Sequence, residues 1–337
     1  MERARRAFVR CGPRGAFGSL RDRNRKSISW IYSKRLQLEV DPGSFWNKPY
    51  YTAAVTVGKL LRYTMVHDFV AGDYMWTGID YLGEANWPQR SAGCGCLDTC
   101  GFEKDAFYFY KSVWNQNEKF AYLCPHWNLK LEKGTVLPVI CYTNCEDAEL
   151  FVNGRSFGMK SKGFPCYGMT ERYGHFDRYR RPANTDDLFL SWDVPYEPGK
   201  IEVVGYHDGK EVCRYNVETT GEAAAIKLTV DKTSVDADGR SVVQAEVRIV
   251  DSEGHLVFDA CPELNFTLEG DGEIIGIDNG DPACHEQWKE TKGRHAFNGM
   301  AYAVIRAGQN KGELTLRVQA SGADAAIGKA SVTISQK

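Results

Sequence analysis

Residues 226–249 read IKLTVDKTSVDADGRSVVQAEVRI. Ile226, Leu228 and Val230 alternate with Lys227, Thr229 and Asp231, and Val243, Ala245, Val247 and Ile249 alternate with Gln244, Glu246 and Arg248. Successive side chains of a strand point to opposite faces, so a two-residue period marks antiparallel strands with one face buried. LNFTLEG, EIIGIDNG, MAYAVIRAG, ELTLRVQA and ASVTIS continue the pattern to the C-terminus. Residues 222–337 are expected to form an immunoglobulin-like β-sandwich of about seven strands.

The same grammar extends upstream, with less strict alternation. VLPVICYT, DAELFVNG, DLFLSWDV, KIEVVGYH and VCRYNVET are short apolar runs separated by turn signals. Asn153-Gly154 and Asp208-Gly209 are hairpin dipeptides, because a tight hairpin needs positive φ at both central residues. A first β-sandwich is expected over 119–221. Before it the pattern changes. Residues 53–70 place Ala54, Val57, Leu61 and Met65 on one helical face, DYMWTGIDYL (73–82) reads as a buried strand, and residues 104–114 place Ala106, Phe107, Tyr110 and Trp114 on one side of a second helix. Helix, strand, loop and helix make a β/α unit over 46–118, and one unit cannot close a sheet alone. The fold class expected is mainly β.

Charge is unevenly divided. Nine Arg and two Lys against Glu2 and Asp22 leave residues 1–35 with +9, so the remainder carries −11 of the net −2. Residues 1–45 lack periodicity and are expected to be a disordered or aberrant basic N-terminus. The overall charge argues against a nucleic-acid surface, and no apolar run is long enough for a membrane span or a signal peptide. Eleven cysteines without paired spacing fit a reducing, cytoplasmic compartment. Cys94, Cys96 and Cys100, with Cys124 and His126, imitate a thiolate metal site only superficially. One gap is a single glycine, so buried thiols and no metal or other cofactor are expected. Asn265-Phe266-Thr267 is a sequon on an expected strand.

The chemistry-bearing stretch is 68–105. Gly72-Asp73-Tyr74-Met75-Trp76-Thr77-Gly78-Ile79-Asp80-Tyr81-Leu82-Gly83-Glu84, then Trp87-Pro88-Gln89-Arg90-Ser91 and Leu97-Asp98-Thr99-Cys100-Gly101-Phe102, resemble the end of the catalytic barrel in glycoside hydrolase family 2. Pro125-His126-Trp127-Asn128, Glu149-Leu150-Phe151-Val152-Asn153-Gly154 and Ser191-Trp192-Asp193-Val194-Pro195 resemble the sandwich that follows. Gly276-Ile277-Asp278-Asn279-Gly280-Asp281 resembles the terminal one. The resemblance runs from about 46 to 320 and is closest to bacterial β-galactosidases. It implies two tandem sandwiches preceded by the last β/α unit of a (β/α)8 barrel, as the C-terminal portion of a retaining glycosidase.

By this resemblance Trp76 lines the subsite of the cleaved sugar. Asp80, Tyr81 and Glu84 at the strand exit, with Trp87 and Arg90 on the following loop, are candidate substrate contacts. An aromatic face stacks on the apolar side of a pyranose, and carboxylates accept hydrogen bonds from its hydroxyls. A retaining mechanism needs two carboxyl groups about 5–5.5 Å apart. The family's acid/base and nucleophile glutamates precede the Trp-Thr-Gly run. Glu39 does not resemble the nucleophile motif and no catalytic residue is assigned, so the chain alone is expected to be inactive. The family's glucuronidases recognise the substrate carboxylate through an Asn-x-Lys motif, whereas residues 86–101 contain no Lys. A β-galactoside is therefore the expected partner; a β-glucuronide parent and a non-enzymatic glycan- or partner-binding sandwich are the alternatives.

Overall fold

The computed structural model describes residues 61, 65, 69–72, 74–85, 87–115, 117–129, 131–162, 185–186, 188–287, 289 and 292–337. The basic N-terminus, Glu39 and most of the helix expected over 53–70 lie outside them.

Two β-sandwiches dominate, as the alternation predicts. The first pairs the sheet β3 (Ala121–Cys124), β4 (Val136–Thr143), β8 (Phe189–Pro195) and β7 (Thr185–Asp186) with a sheet ordered β10-β9-β5-β6. In the latter, β5 is Asp147–Val152, β6 Arg155–Ser161, β9 Lys200–His207 and β10 Lys210–Glu218. Between them lie Trp127, Leu137, Val139, Leu150, Trp192, Val194 and Val203. The Trp127 indole is fully buried and donates to Glu197 O at 2.9 Å. Asn153 (φ 49°) and Gly154 (φ 80°) turn β5 into β6, and Asp208 (φ 50°) and Gly209 (φ 70°) turn β9 into β10.

β4 explains why the first sandwich alternates less. Val139 and Cys141 face the sandwich core, while Ile140 and Tyr142 face away, under a helix, α1 (Asp105–Trp114). A strand covered on both sides reads as a continuous apolar run. The helix differs from expectation in its inward stripe: Ala106, Phe109 and Tyr110 are buried, whereas Trp114 is exposed. Phe109 packs edge-on against Tyr142, with ring centroids 5.6 Å apart.

In the second sandwich one sheet is ordered β11-β13-β17-β15, from Ala225–Val230, Val242–Val250, Met300–Ala307 and Gly272–Asp278. The other is β12-β19-β18-β14-β16, from Ser234–Val235, Lys329–Gln336, Gly312–Ala320, Glu263–Glu269 and Gly293–His295. The short β12 and β16 add to the seven expected strands. Val243, Val247, Ile249, Leu264, Phe266, Ile305 and Leu316 fill the core.

The stretch 73–82 departs most from expectation. Only Tyr81–Leu82 (β1) forms a ladder, antiparallel to Ser91–Ala92 (β2), with one parallel bridge between Ile79 and Leu97. A barrel strand is held by parallel neighbours on both sides, and beyond that single bridge the described residues supply no parallel strand beside 74–80.

Candidate functional site

Trp76 stands out from the chain with 74% of its surface exposed. Its indole N–H donates to the Tyr81 hydroxyl at 3.0 Å, and the two rings meet edge to face, 6.0 Å between centroids. The Tyr81 hydroxyl in turn donates to the Glu84 carboxylate. That acceptor holds the Tyr81 phenol above its ordinary pKa, against the opposing pull of the Trp76 N–H. Tyr81 therefore stays a neutral hydroxyl that fixes both neighbours. Gly83 (φ 98°) and Glu84 (φ 47°) turn the chain between β1 and β2. A left-handed glutamate costs of order 1 kcal/mol. Three of the six expected sugar contacts thus form one exposed constellation, an aromatic platform beside a carboxylate.

Asp80 does not join it. Its carboxylate is buried and accepts the Gly95 N–H at 2.7 Å and the Lys104 ammonium at 2.5 Å, with each side chain 1% exposed. The strand-exit position predicted an outward carboxylate. The chain instead folds residues 93–97 back over 78–80, through Asp80 N–H to Leu97 O (2.9 Å) and Cys96 N–H to Gly78 O (3.0 Å). A Cβ at Gly95 would stand 2.3 Å from Asp80 N, so this glycine lies between two cysteines because the backbones touch. Burial pushes the Cys96 thiol up to about 11 and the Cys100 thiol higher, so both keep their protons at neutral pH. Among the described cysteines eight are free and Cys261 is disulfide-bonded, a pairing that the cysteine spacing did not foretell.

Arg90 and Trp87 also depart from expectation, because both face the second sandwich. The Arg90 guanidinium donates to both oxygens of Asp278 (2.7 and 2.8 Å), at the end of β15. Its backbone N–H donates to Pro282 O (2.7 Å). Trp87 packs on His285 with ring centroids 4.7 Å apart, and the same imidazole donates to Pro88 O at 2.6 Å. Phe102 meets Tyr302 edge-on at 5.9 Å. Asp98 sits so near Gly280 that a Cβ there would lie 2.1 Å from its carboxylate. Asp278 further accepts from Arg294 (2.5 Å), whose side chain is 0% exposed.

Asp278, His285 and Arg294 escaped the sequence reading, though a signal existed. Arg294 occupies a position in β16 whose neighbours in phase, Leu264 and Ala296, are core. A charge at a core position implies a partner brought from elsewhere. Through it the second sandwich grips the loop whose other end, by Gly83 N–H to Arg90 O (3.3 Å) and the β1–β2 ladder, carries Tyr81 and Glu84.

Comparison with known proteins adds to this geometry. Residues 226–327 match the model of the glycoside hydrolase family 2 C-terminal domain 5, and residues 134–213 match a domain of unknown function. The chain is 34% identical over 310 residues to the β-galactosidase BoGH2A of Bacteroides ovatus, covering 90% of this chain and 34% of that protein. It is 29% identical over 270 residues to a putative β-glucuronidase of Formosa agariphila, covering 78% of this chain and 24% of that protein. Among solved structures, a β-glycosidase from Bacteroides vulgatus superposes with a TM-score of 0.71 at 30% identity, over 83% of this chain and 33% of that one. A β-glucuronidase from glycoside hydrolase family 2 gives 0.64 at 25% identity, over 78% and 25% respectively. The chain spans about a third or less of the length of these relatives. Motif order, paired sandwiches and matches of this extent agree: the chain belongs to glycoside hydrolase family 2.

Proposed function

We propose that this chain carries part of the sugar-binding wall of a retaining β-galactosidase, in which Trp76 is the platform and Tyr81 and Glu84 order its edge. The observation that carries the reading is the exposed Trp76–Tyr81–Glu84 chain of hydrogen bonds. An indole fixed at its N–H presents a rigid apolar face, so little side-chain entropy is lost when a pyranose stacks on it. Glu84 then offers acceptor lone pairs to sugar hydroxyls at the platform's rim.

The catalytic carboxylate pair is a different matter. Asp80, lying under Lys104, is enclosed and neutralised, so Asp80 and Glu84 do not make a nucleophile and acid/base. Within the described residues the chain's role is therefore binding and orientation rather than bond cleavage.

A glucuronide reading has support in the names of several relatives. Against it, among the described residues of this segment Lys104 is engaged by Asp80 and Arg90 by Asp278. A substrate carboxylate needs a cation in reach, and the exposed Glu84 would repel it, so a neutral galactoside fits better. The reading as a free-standing glycan-binding sandwich is weakened by Tyr302, whose ring packs on Phe102 and whose hydroxyl bonds Gln244.

The test is an NMR titration of the chain with methyl β-galactoside and methyl β-glucuronide, following the Trp76 indole N–H resonance. A saturable shift with the galactoside and a smaller one with the glucuronide is expected. The reverse order would favour the glucuronide reading, and shifts confined to Trp114 or Trp87 would sink both.

A further inference from the structure

We infer that Cys145 and Cys213 form a peroxide-sensitive thiol pair, in which a hydroperoxide oxidises Cys145 and Cys213 resolves the product to a disulfide within the first sandwich. Their sulfurs lie 3.4 Å apart, although the residues are 68 positions apart in sequence. The connection from β4 to β5 crosses from one sheet to the other, and Cys145 sits in it, 1% exposed. Cys213 lies on the edge strand β10, just past a register shift between Glu211 and Cys213, paired with Gly205 of β9. The two sulfurs meet over that glycine. A Cβ at position 205 would stand 2.6 Å from the Cys213 sulfur and 2.7 Å from that of Cys145, so any side chain there would part them.

The surroundings hold Cys145 still and favour its thiolate. Its N–H donates to Thr143 Oγ1 at 3.0 Å, and Asn144 beside it is bonded to Asn115 O, Glu118 O and the Phe120 N–H. The Lys162 ammonium donates to Thr143 O (2.6 Å) and that of Lys119 to Asn144 O (3.3 Å), which brings two cations to this turn. The two sulfurs share a hydrogen bond in which either can donate, and the Cys145 sulfur also lies 3.9 Å from Phe120 O. The contact with Cys213 holds the Cys145 pKa well below an ordinary thiol, with Thr143 and the two lysines adding to it against burial. The same bond and burial raise the Cys213 pKa. One sulfur is thus the nucleophile and the other keeps the proton that the second step uses.

The chemistry follows the thiolate ladder. The Cys145 thiolate attacks one oxygen of hydrogen peroxide, an S–O bond forms and the O–O bond breaks. Hydroxide leaves and takes a proton to become water, and the sulfenic acid remains. The Cys213 sulfur then attacks the Cys145 sulfur, the S–S bond forms and the S–O bond breaks, and the Cys213 proton departs with the hydroxyl as a second water. Two thiols and one peroxide give one disulfide and two waters. A small oxidant is required, because Cys145 is buried. Closing to a bond of about 2.05 Å moves the sulfurs by little more than 1 Å. The cross-link fastens the inter-sheet connection to an edge strand, which stabilises the first sandwich by restricting its unfolded chain.

The test uses the full chain under native conditions. It is treated with hydrogen peroxide, alkylated and digested, and the cysteine peptides are followed by mass spectrometry. The Cys145–Cys213 cross-linked peptide is expected to appear ahead of oxidation at Cys94 or Cys284, with a rise in melting temperature that dithiothreitol reverses. Cys213→Ser should instead accumulate a dimedone-reactive sulfenic acid on Cys145. Cys145 left reduced while other thiols oxidise would overturn the inference. So would a cross-link that forms only in urea. The wild-type result stands whether or not the serine variant folds.

Discussion

Replacing Asp278 by Ala tests whether the grip on the 83–92 loop is a desolvated ion cluster or a surface pair of little consequence. Asp278 receives Arg90 and Arg294, whose side chains are 14% and 0% exposed. Exposed ion pairs are worth about 0–1 kcal/mol. Removing one partner from a buried pair costs about 3–5 kcal/mol, since the surviving charge is left without compensation. Here two guanidinium groups lose one carboxylate, and the Asn279 N–H loses an acceptor at 2.8 Å as well. A loss of about 3–4 kcal/mol is expected, which for a unit of 150–250 residues lowers the melting temperature by roughly 10 °C. The assay is urea unfolding together with hydrogen exchange resolved by peptide. Protection should fall in 81–92 and 276–296 while β4 and β5 keep theirs. Replacing Arg90 and Arg294 by Met in the same background should recover much of the loss, because apolar substitutes for a buried ion cluster are often neutral. A variant within about 0.5 kcal/mol of wild type, with exchange in 81–92 unchanged, would refute the reasoning.

Trp76→Ala should leave the urea midpoint within about 0.5 kcal/mol of wild type, because the side chain is largely exposed, yet abolish the galactoside-induced shifts elsewhere in the site. A large stability loss would mark Trp76 as core. Residues 222–337 expressed alone should unfold in one cooperative transition, since they hold both sheets and the whole of their core; a sloping transition would contradict this boundary. Gly95→Ala should destabilise residues 78–104 by more than about 2 kcal/mol, because the new methyl meets backbone that has no room to move. Circular dichroism melts would check it, and an unaffected variant would mean that the 93–97 fold-back is looser than described.

How much was legible varies with how local the cause is. Alternation exposes one face at a time, so β11 and β13 could be read residue by residue, and Asn153-Gly154 announces its turn by the φ it tolerates. For helix α1 the sequence spacing points the inward stripe at Trp114, whereas the buried residue is Phe109. The spacings of both residues fit a helical face, and only Tyr142 on β4 decides between them. The strand-exit position alone implies an outward Asp80, because it says nothing about Lys104, which lies 24 residues further along the chain. Arg90 finds Asp278 across 188 residues. No local pattern encodes such a pairing, although the charge of Arg294 at a core position was a warning that one existed. Trp76, Tyr81 and Glu84 were legible together because their five- and three-residue separations keep the contact within one turn of chain.

The proposed function gives this chain a sugar platform at Trp76 with, among the described residues, no catalytic carboxylate pair. The most direct measurement is the intact mass of the chain after incubation with a 2-deoxy-2-fluoro-β-galactoside bearing an activated leaving group, which traps a retaining nucleophile as its glycosyl ester. The account predicts an unchanged mass, because Asp80 is closed off by Lys104 and Glu84 serves Tyr81. A stoichiometric adduct mapped to Asp80, Glu84 or Glu39, and lost when that residue becomes Asn (Asp80) or Gln (Glu84, Glu39), would contradict it.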